Sequence, residues 1–183
     1  MIKGAIKAAI QVVFSPQTAW EEISEKKTNL YRDFLFPLWG IIVFLSFIGG
    51  WLFARNGGLE LGFKSLITEA FILFGSFHVS SFCMNEYAGH LTDVGRNRRK
   101  SQVFVAYASS LVYLIEIVVA LIDDFFFLWL FALYTLYIVY IGAEIFYKII
   151  PERRTNFMLL ASFFILGMPI ILKACLSVIM GGG

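Results

Sequence analysis

The sequence predicts an all-α polytopic membrane protein, a five-helix transmembrane bundle preceded by an amphipathic interfacial helix. Hydrophobic residues make up 59% of the 183-residue chain and charged residues only 15%, whereas charged residues are about a quarter of a typical soluble protein. Five apolar stretches are each long enough to cross a hydrocarbon layer of about 30 Å, where only helices satisfy the backbone of a single chain segment. The predicted spans are residues 34–54, 61–87, 102–122, 125–147 and 156–180.

Lys and Arg residues are distributed unevenly between the two sides of the predicted bundle. Twelve of the fifteen precede span one, join spans two and three, or join spans four and five, and only Arg55, Lys64 and Lys173 fall on the other side. Connections rich in Lys and Arg remain in the cytoplasm. The sequence therefore predicts a cytoplasmic N-terminus and a C-terminus outside.

The start of the chain has the pattern of an amphipathic helix. Apolar residues recur there at helical spacing, while Lys3, Lys7 and Gln11 lie four residues apart on the opposite face. We expect this helix to lie in the cytoplasmic membrane interface, with its Lys side chains near lipid phosphates. Packing of the helix on the bundle is the alternative.

A second short helix is predicted directly afterwards. Ser15 fits the N-cap and Pro16 the first turn, where a missing N–H removes no intrahelical bond. Trp20, in this helix, is expected at the level of the lipid headgroups. Residues 1–32 therefore form a predicted cytoplasmic and interfacial segment, and residues 33–183 form the membrane domain.

Polar residues and prolines mark the connections of the membrane domain. Asp33 is the predicted N-cap of span one, and Pro37 fits its first turn. The acidic pair beginning at Asp123 makes a turn so short that spans three and four must be antiparallel neighbours. Pro151 ends span four, and the basic connection over residues 89–101 is the longest polar segment of this domain.

Three charged residues lie at similar depth in the outer half of the predicted spans, where each charge is a hypothesis of function. Glu69, Glu116 and Lys173 all lie roughly 9 to 12 Å below the outer boundary at a rise of 1.5 Å per residue. We expect a buried charge cluster in which Lys173 pairs with one or both carboxylates. A structural ion pair is favoured over a polar path or ligand site, and snorkelling of the side chains to the headgroups is the remaining alternative.

Further polar residues lie nearer the inner boundary. His78 stands beside serines in the inner half of span two, where a hydrogen-bonded packing role is favoured over a proton relay. Glu86 and Glu144 lie within reach of the basic connections, so arginine pairing at the surface is expected for both.

Metal binding and catalysis are disfavoured. Glu86, His90 and Asp93 have the i, i+4, i+7 spacing that places three ligands on one helix face, which makes them weak metal candidates. The sequence has no zinc-protease motif, phosphate-binding glycine loop or nucleophile elbow. We therefore expect no enzymatic activity and no cofactor.

Three short motifs carry a family resemblance, at residues 15–23 with Pro16 and Trp20, at residues 30–37 and at residues 106–110. Together they resemble the Yip domain family, the Ypt/Rab-interacting proteins, in its short bacterial form, and residues 15–23 are similar to the opening of bacterial members. Residues 30–37 resemble the Asp-Leu-Tyr-Gly-Pro motif of the eukaryotic branch, without its glycine. Residues 106–110 resemble the family's Gly-Tyr-Ser motif, with alanine in place of glycine. The resemblance covers nearly the whole chain and implies five spans with a cytoplasmic N-terminus.

The resemblance implies a membrane fold without a settled activity for bacterial-type members, whereas eukaryotic relatives bind lipid-modified Rab GTPases and act in vesicle traffic. We expect a scaffold or adaptor in the bacterial inner membrane that engages lipids or protein partners, or a second copy of itself, and no nucleic acid. The residues expected to contact headgroups or partners are Lys3, Lys7, Trp20, Arg96, Arg98, Arg99, Lys100, Arg153 and Arg154. The alternative is a small-solute or ion transporter or channel that uses Glu69, Glu116, Lys173 and His78.

Overall fold

The computed structural model describes residues 2–25, 29–54, 57–91, 95–121 and 123–181. Within these ranges every regular element is a helix and no strand is present. The prediction of an all-α polytopic membrane protein is therefore confirmed.

Four helices in the described ranges are long and apolar enough to cross a bilayer. They are Tyr31–Phe53, Leu59–His90, Phe127–Ile145 and Pro151–Ile179. Two further helices, Arg98–Ala108 and Ser110–Val119, meet at an angle of 45° and add a fifth crossing if they form one broken span. The number of crossings thus matches the predicted five when this bent pair counts as one.

The helices are labelled in chain order. The first two are α1 (Ile2–Phe14) and α2 (Pro16–Glu25), which together form the N-terminal hairpin. The bundle consists of α3 (Tyr31–Phe53, with π-helical turns at both ends), α4 (Leu59–Leu91), α5 (Arg98–Ala108), α6 (Ser110–Val119), α7 (Thr135–Ile145) and α8 (Pro151–Gly181). A 3₁₀ helix over Asp123–Tyr134 leads into α7.

The N-terminal hairpin packs on the bundle. Ala5, Ala9 and Val12 of α1 are buried in the same hydrophobic core as the bundle helices. The helix α1 lies against α6 and the start of α3, whereas α2 lies against α7. Small side chains on this face let α1 approach its neighbours closely, so the hairpin is an integral part of the fold.

The start of α3 is capped by Asn29 and not by Asp33 as predicted. The Asn29 side-chain oxygen accepts the Arg32 backbone N–H at 3.4 Å, and Asp33 Oδ2 accepts the Asn29 N–H at 3.2 Å. Each side chain thus accepts a backbone N–H that has no partner within the helix, as in a capping box. The prediction was wrong because the helix begins one turn earlier and takes Asp33 into its first turn.

The helices α4 and α8 are longer than the bilayer is thick. They contain 33 and 31 residues, or about 50 and 46 Å at 1.5 Å per residue. Exposed apolar side chains run from Leu59 to Phe82 on α4 and from Leu159 to Ile179 on α8. Because this belt faces lipid, the last two turns of α4 and the first two turns of α8 extend beyond it at the same end of the bundle.

The third predicted span is broken at Ser109. Ser109 Oγ donates to the Val105 carbonyl at 2.8 Å, and Ser110 Oγ donates to the Tyr107 carbonyl at 2.6 Å. Serine hydroxyls that bond to the preceding turn bend helices. Two such bonds at adjacent residues account for the change of direction between α5 and α6.

Trp20 attaches the N-terminal hairpin to the bundle. The side chain is fully buried, its indole N–H donates to the Ile138 carbonyl at 3.0 Å, and its ring stacks on Phe104 with centroids 5.1 Å apart. The expectation that Trp20 contacts lipid headgroups is therefore wrong. A buried acceptor on α7 satisfies the polar atom that would otherwise favour the membrane interface.

Gly142 leaves the space that the Trp20 ring occupies. A Cβ at this position would lie 2.6 Å from Trp20 Cε2 and 2.9 Å from Phe104 Cε2. These atoms belong to two stacked rings in the core, so neither yields easily. The absence of a side chain at Gly142 therefore permits α2 to lie directly against α7.

Substitution Gly142→Ala is expected to destabilise the protein, since overpacking of a filled core costs about 1–3 kcal/mol. Trp20→Ala is expected to cost about 3–5 kcal/mol, because a large buried side chain is lost. Thermal unfolding in detergent measures both effects. Gly40→Ala is the matched control, since nothing lies within 4 Å of a Cβ there. Equal melting temperatures for Gly142→Ala and Gly40→Ala would contradict the proposed role of Gly142.

Candidate functional site

The predicted basic residues gather at one end of the bundle. At this end α4 and α7 finish and α5 and α8 begin, so the two basic connections are neighbours. We call this region the basic end. The sequence predicted these cations as contacts for lipid headgroups or partners, and the structure divides them into two groups with different surroundings.

One group of cations is held by other parts of the protein. Arg96 pairs with Glu86 at 2.6 Å, and Arg154 pairs with Glu144 at 2.8 Å. Lys100 lies 4.9 Å from the ring centroid of Tyr147, which is a cation–π distance. The predicted arginine pairing of the two glutamates is confirmed. These cations stabilise the ends of helices and are less available to outside groups.

The Arg96–Glu86 pair depends on a glycine. A Cβ at Gly89 would lie 2.6 Å from Arg96 Cγ, so the arginine stem crosses the bare backbone of α4 to reach Glu86. Glu86 and His90 were weak metal candidates, whereas the structure gives the Glu86 carboxylate an arginine partner. Asp93, the third candidate, lies outside the described residues. No group of three potential metal ligands occurs among the residues that are described.

The second group of cations is exposed and free of ion pairs. Within the part of the chain that the structure describes, no carboxylate pairs with Lys3, Lys7, Arg98, Arg99 or Arg153. Long side chains with solvated charges at a membrane boundary are suited to anionic groups of lipids or partners. Of the nine residues predicted to make such contacts, these five have the most accessible charges.

The intramembrane charges lie near one another without direct contact. Glu69 and Glu116 are half-buried on α4 and α6, and Lys173 is exposed on α8. Lys173 lies within electrostatic range of both carboxylates, and Glu69 lies within that range of Glu116. Among the described residues no ion pair within 4.0 Å joins them. The arrangement is a loose charge cluster with Lys173 at its outer edge.

A small polar cavity lies below this cluster, between α4, the broken span and α8. Its volume is about 20 Å³, and its polar lining consists of Ser76, Ser80, Ser109, Tyr113 and Glu116. A cavity of this size holds about one water molecule. The cavity therefore has space for about one water molecule beside Glu116 and leaves no space for a larger solute.

His78 lies apart from the charge cluster. Its Nδ1 is 2.8 Å from the Phe74 carbonyl, and its ring lies 4.0 Å from the Phe74 ring and 6.5 Å from the Tyr31 ring, centroid to centroid. The residue does not line the polar cavity. Its surroundings are those of an aromatic packing site at the junction of α3 and α4.

A larger cavity lies beside the N-terminal hairpin, and we call it the hairpin cavity. Its volume is about 490 Å³, and its polar lining consists of Lys7, Gln11, Glu22 and Asp33. Phe34 and Tyr107 belong to its apolar lining, with ring centroids 4.2 Å apart. The sequence analysis did not identify Glu22, Phe34 or Tyr107 as site residues. The signal for this site in the sequence was the polar face of α1, whose Gln11 bonds to Glu22 on the neighbouring helix α2.

A ridge of large apolar side chains runs along the outside of α1. It consists of Ile2, Ile10 and Phe14, which are 53%, 42% and 80% exposed, whereas Ile6 between them is partly buried against the core. The helix therefore has a small-residue face toward the bundle, a polar face toward the hairpin cavity, and this ridge on its remaining side. The predicted single apolar face is thus divided into two.

The sequence model of the Yip1 domain family matches residues 10–173. The chain belongs to the Yip1 domain family. The match includes Trp20, the basic end and all three charges of the cluster, so the resemblance noted in the sequence is confirmed. Members of the Yip family interact with Rab GTPases and with membranes. No curated protein and no solved structure matches the chain.

The charge cluster of this Yip1 domain is testable by a double-mutant cycle. Lys173→Met is expected to lower the melting temperature in detergent, because two carboxylates then lack a nearby cation. Adding Glu116→Gln is expected to recover part of the loss, with a coupling of about 0.5–3 kcal/mol between neighbouring groups. A control cycle combines Glu116→Gln with Lys64→Met, which removes a different exposed lysine. Additive effects of Lys173→Met and Glu116→Gln would show that the two charges are independent.

Proposed function

We propose that this Yip1 domain protein is a non-enzymatic membrane scaffold that engages anionic lipids or protein partners at its basic end. The exposed cations Arg98, Arg99 and Arg153, which have no ion pair among the described residues, are the single observation that carries the proposal. Arg153 lies in the first turn of α8, which extends beyond the lipid-facing belt, and Arg98 and Arg99 begin α5 after the extended end of α4. Their charges are therefore available at the height of phosphate groups and of proteins docked on the membrane.

The rigid attachment of the N-terminal hairpin supports a scaffold role. Trp20 joins α2 to α7, and the alanine face of α1 joins it to the bundle. The ridge with Ile10 and Phe14 remains exposed beside Lys3 and Lys7. An amphipathic helix with lysines beside an apolar face inserts shallowly into a leaflet. We therefore assign α1 a place in the leaflet at the basic end.

The proposed location follows from the charge distribution. Lys and Arg residues in short connections remain in the cytoplasm, so the basic end and the N-terminus are proposed to face the cytoplasm. The resemblance to short bacterial members supports the bacterial inner membrane as the location. A partner protein would then approach from the cytoplasm.

The lipid contact is tested by a charge-neutral variant in lipid nanodiscs of mixed phosphatidylglycerol and phosphatidylcholine. Each cation near an anionic surface contributes about 1 kcal/mol, so Arg98→Gln combined with Arg99→Gln is expected to lower the preference for phosphatidylglycerol by up to about 30-fold. Mass spectrometry of the lipids that co-purify measures the preference. Arg55→Gln with Lys64→Gln removes the same charge from the other side of the predicted topology. Equal losses in both double variants would contradict a site at the basic end.

Transport is the alternative function, and the polar cavity at Glu116 is the observation that favours it. With a volume of about 20 Å³, the cavity accommodates no solute larger than water. We expect liposomes containing the protein to show no more proton flux than empty liposomes, as measured with an internal pH dye. Flux that depends on the protein and disappears in Glu116→Gln would overturn the scaffold proposal.

A further inference from the structure

We propose that the hairpin cavity binds a phosphoethanolamine group, with Lys7 at the phosphate and Glu22 and Asp33 at the ammonium. This inference goes beyond the proposed scaffold function, because it concerns a separate site and does not involve the exposed arginines. The cavity volume of about 490 Å³ lies in the usual range of small-ligand sites, about 300–1,000 Å³.

The charges of the cavity are complementary to a zwitterion. Lys7 is the only cation in the described lining, and Glu22 and Asp33 are its acidic residues. Lys7 has no ion pair among the described residues. A ligand with one anionic and one ammonium group would therefore provide each charged side chain with a partner, whereas a purely anionic ligand would face two carboxylates.

Both carboxylates are held in place and keep capacity for a ligand. Glu22 Oε1 accepts a hydrogen bond from Gln11 Nε2 at 2.9 Å, which joins α1 to α2 across the hairpin. Asp33 Oδ2 accepts the Asn29 backbone N–H at 3.2 Å. An ionised carboxylate has about four acceptor sites, so each group can still accept from a primary ammonium.

Two aromatic residues close the inner wall of the cavity. The Phe34 and Tyr107 rings pack on each other with centroids 4.2 Å apart, and both side chains are buried. They form an apolar floor, so the charge selectivity of the proposed site comes from Lys7, Glu22 and Asp33.

The height of the cavity points to a lipid as one source of this group. Asp33 lies three residues before Phe36, which is 59% exposed and begins the lipid-facing surface of α3. Lys7 lines the cavity and lies three and seven residues before the exposed Ile10 and Phe14, so the polar face of α1 adjoins the ridge at this position. A phospholipid whose acyl chains contact this ridge would therefore have its phosphate near Lys7.

The experiment compares lipids in nanodiscs that contain the full chain. Phosphatidylethanolamine is expected to be retained in preference to phosphatidylcholine, whose methylated ammonium cannot donate hydrogen bonds, and to phosphatidylglycerol, which lacks an ammonium. Native mass spectrometry measures the lipids that remain bound. Lys7→Gln, or Glu22→Gln with Asp33→Asn, is expected to lower this retention about tenfold or more, as expected when a hydrogen bond to a charged group is lost.

Two matched variants control for charge and for folding. Lys64→Gln alters an exposed lysine on α4, and Glu25→Gln alters an exposed glutamate on α2, and neither residue lines the cavity. Both are expected to retain phosphatidylethanolamine, and the melting temperature of every variant without added ligand reports on folding. Equal losses in Lys64→Gln and Lys7→Gln would overturn the site.

A soluble arm distinguishes the source of the group. Glycerophosphoethanolamine and glycerophosphocholine are titrated against the purified protein by calorimetry. Binding of the former alone, without lipid preference, would support the site with a soluble ligand as its source. Absence of both binding and lipid preference would overturn the proposal. The phosphatidylglycerol preference of the arginine variants is measured separately, so failure here leaves the scaffold proposal unaffected.

Discussion

The contact between Trp20 and Gly142 determines how the functional end of this Yip1 domain is built. The indole fills the space above a glycine backbone, stacks on Phe104 and donates its N–H to the Ile138 carbonyl. Burial of the ring and the hydrogen bond of the indole N–H hold α2 against α7. The other helix of the hairpin, α1, therefore lies beside α6. The hairpin cavity and the exposed ridge of α1 both exist only because the hairpin is attached in this way.

The bundle has an apolar, lipid-facing outer surface and a seam of polar side chains in its interior. On α4, Glu69, Ser76 and Ser80 share one face, and on the broken span Ser109, Tyr113 and Glu116 share another. Serines are small and allow close helix approach, while their hydroxyls bond to backbone carbonyls, as Ser80 does to Phe164 at 2.7 Å. The seam is therefore nearly filled, and the space that remains is about that of one water molecule.

The cations of the basic end differ in whether they contact other residues of the chain or remain exposed. Arg96, Lys100 and Arg154 bind glutamates or aromatic rings of their own chain, and such contacts orient helix ends where the bilayer no longer does so. Arg98, Arg99 and Arg153 keep their charges exposed. A count of positive charges does not separate these groups, because the difference lies in which residues on other helices are near. The proposed binding to anionic partners therefore rests on a subset of the predicted residues.

The sequence by itself determined the membrane class, the number of apolar segments and the asymmetry of charge, because these follow from composition and from the length of chain needed to cross a bilayer. It also predicted the pairing of Glu86 and Glu144 with arginines, since short connections bring them near. Only the tertiary structure decided that Trp20 is buried, that Asn29 caps α3, that span three bends at Ser109, and that Lys7, Glu22 and Asp33 line one cavity. Those features depend on contacts between helices distant in sequence, such as Trp20 on Gly142, and local periodicity carries no information about which faces meet.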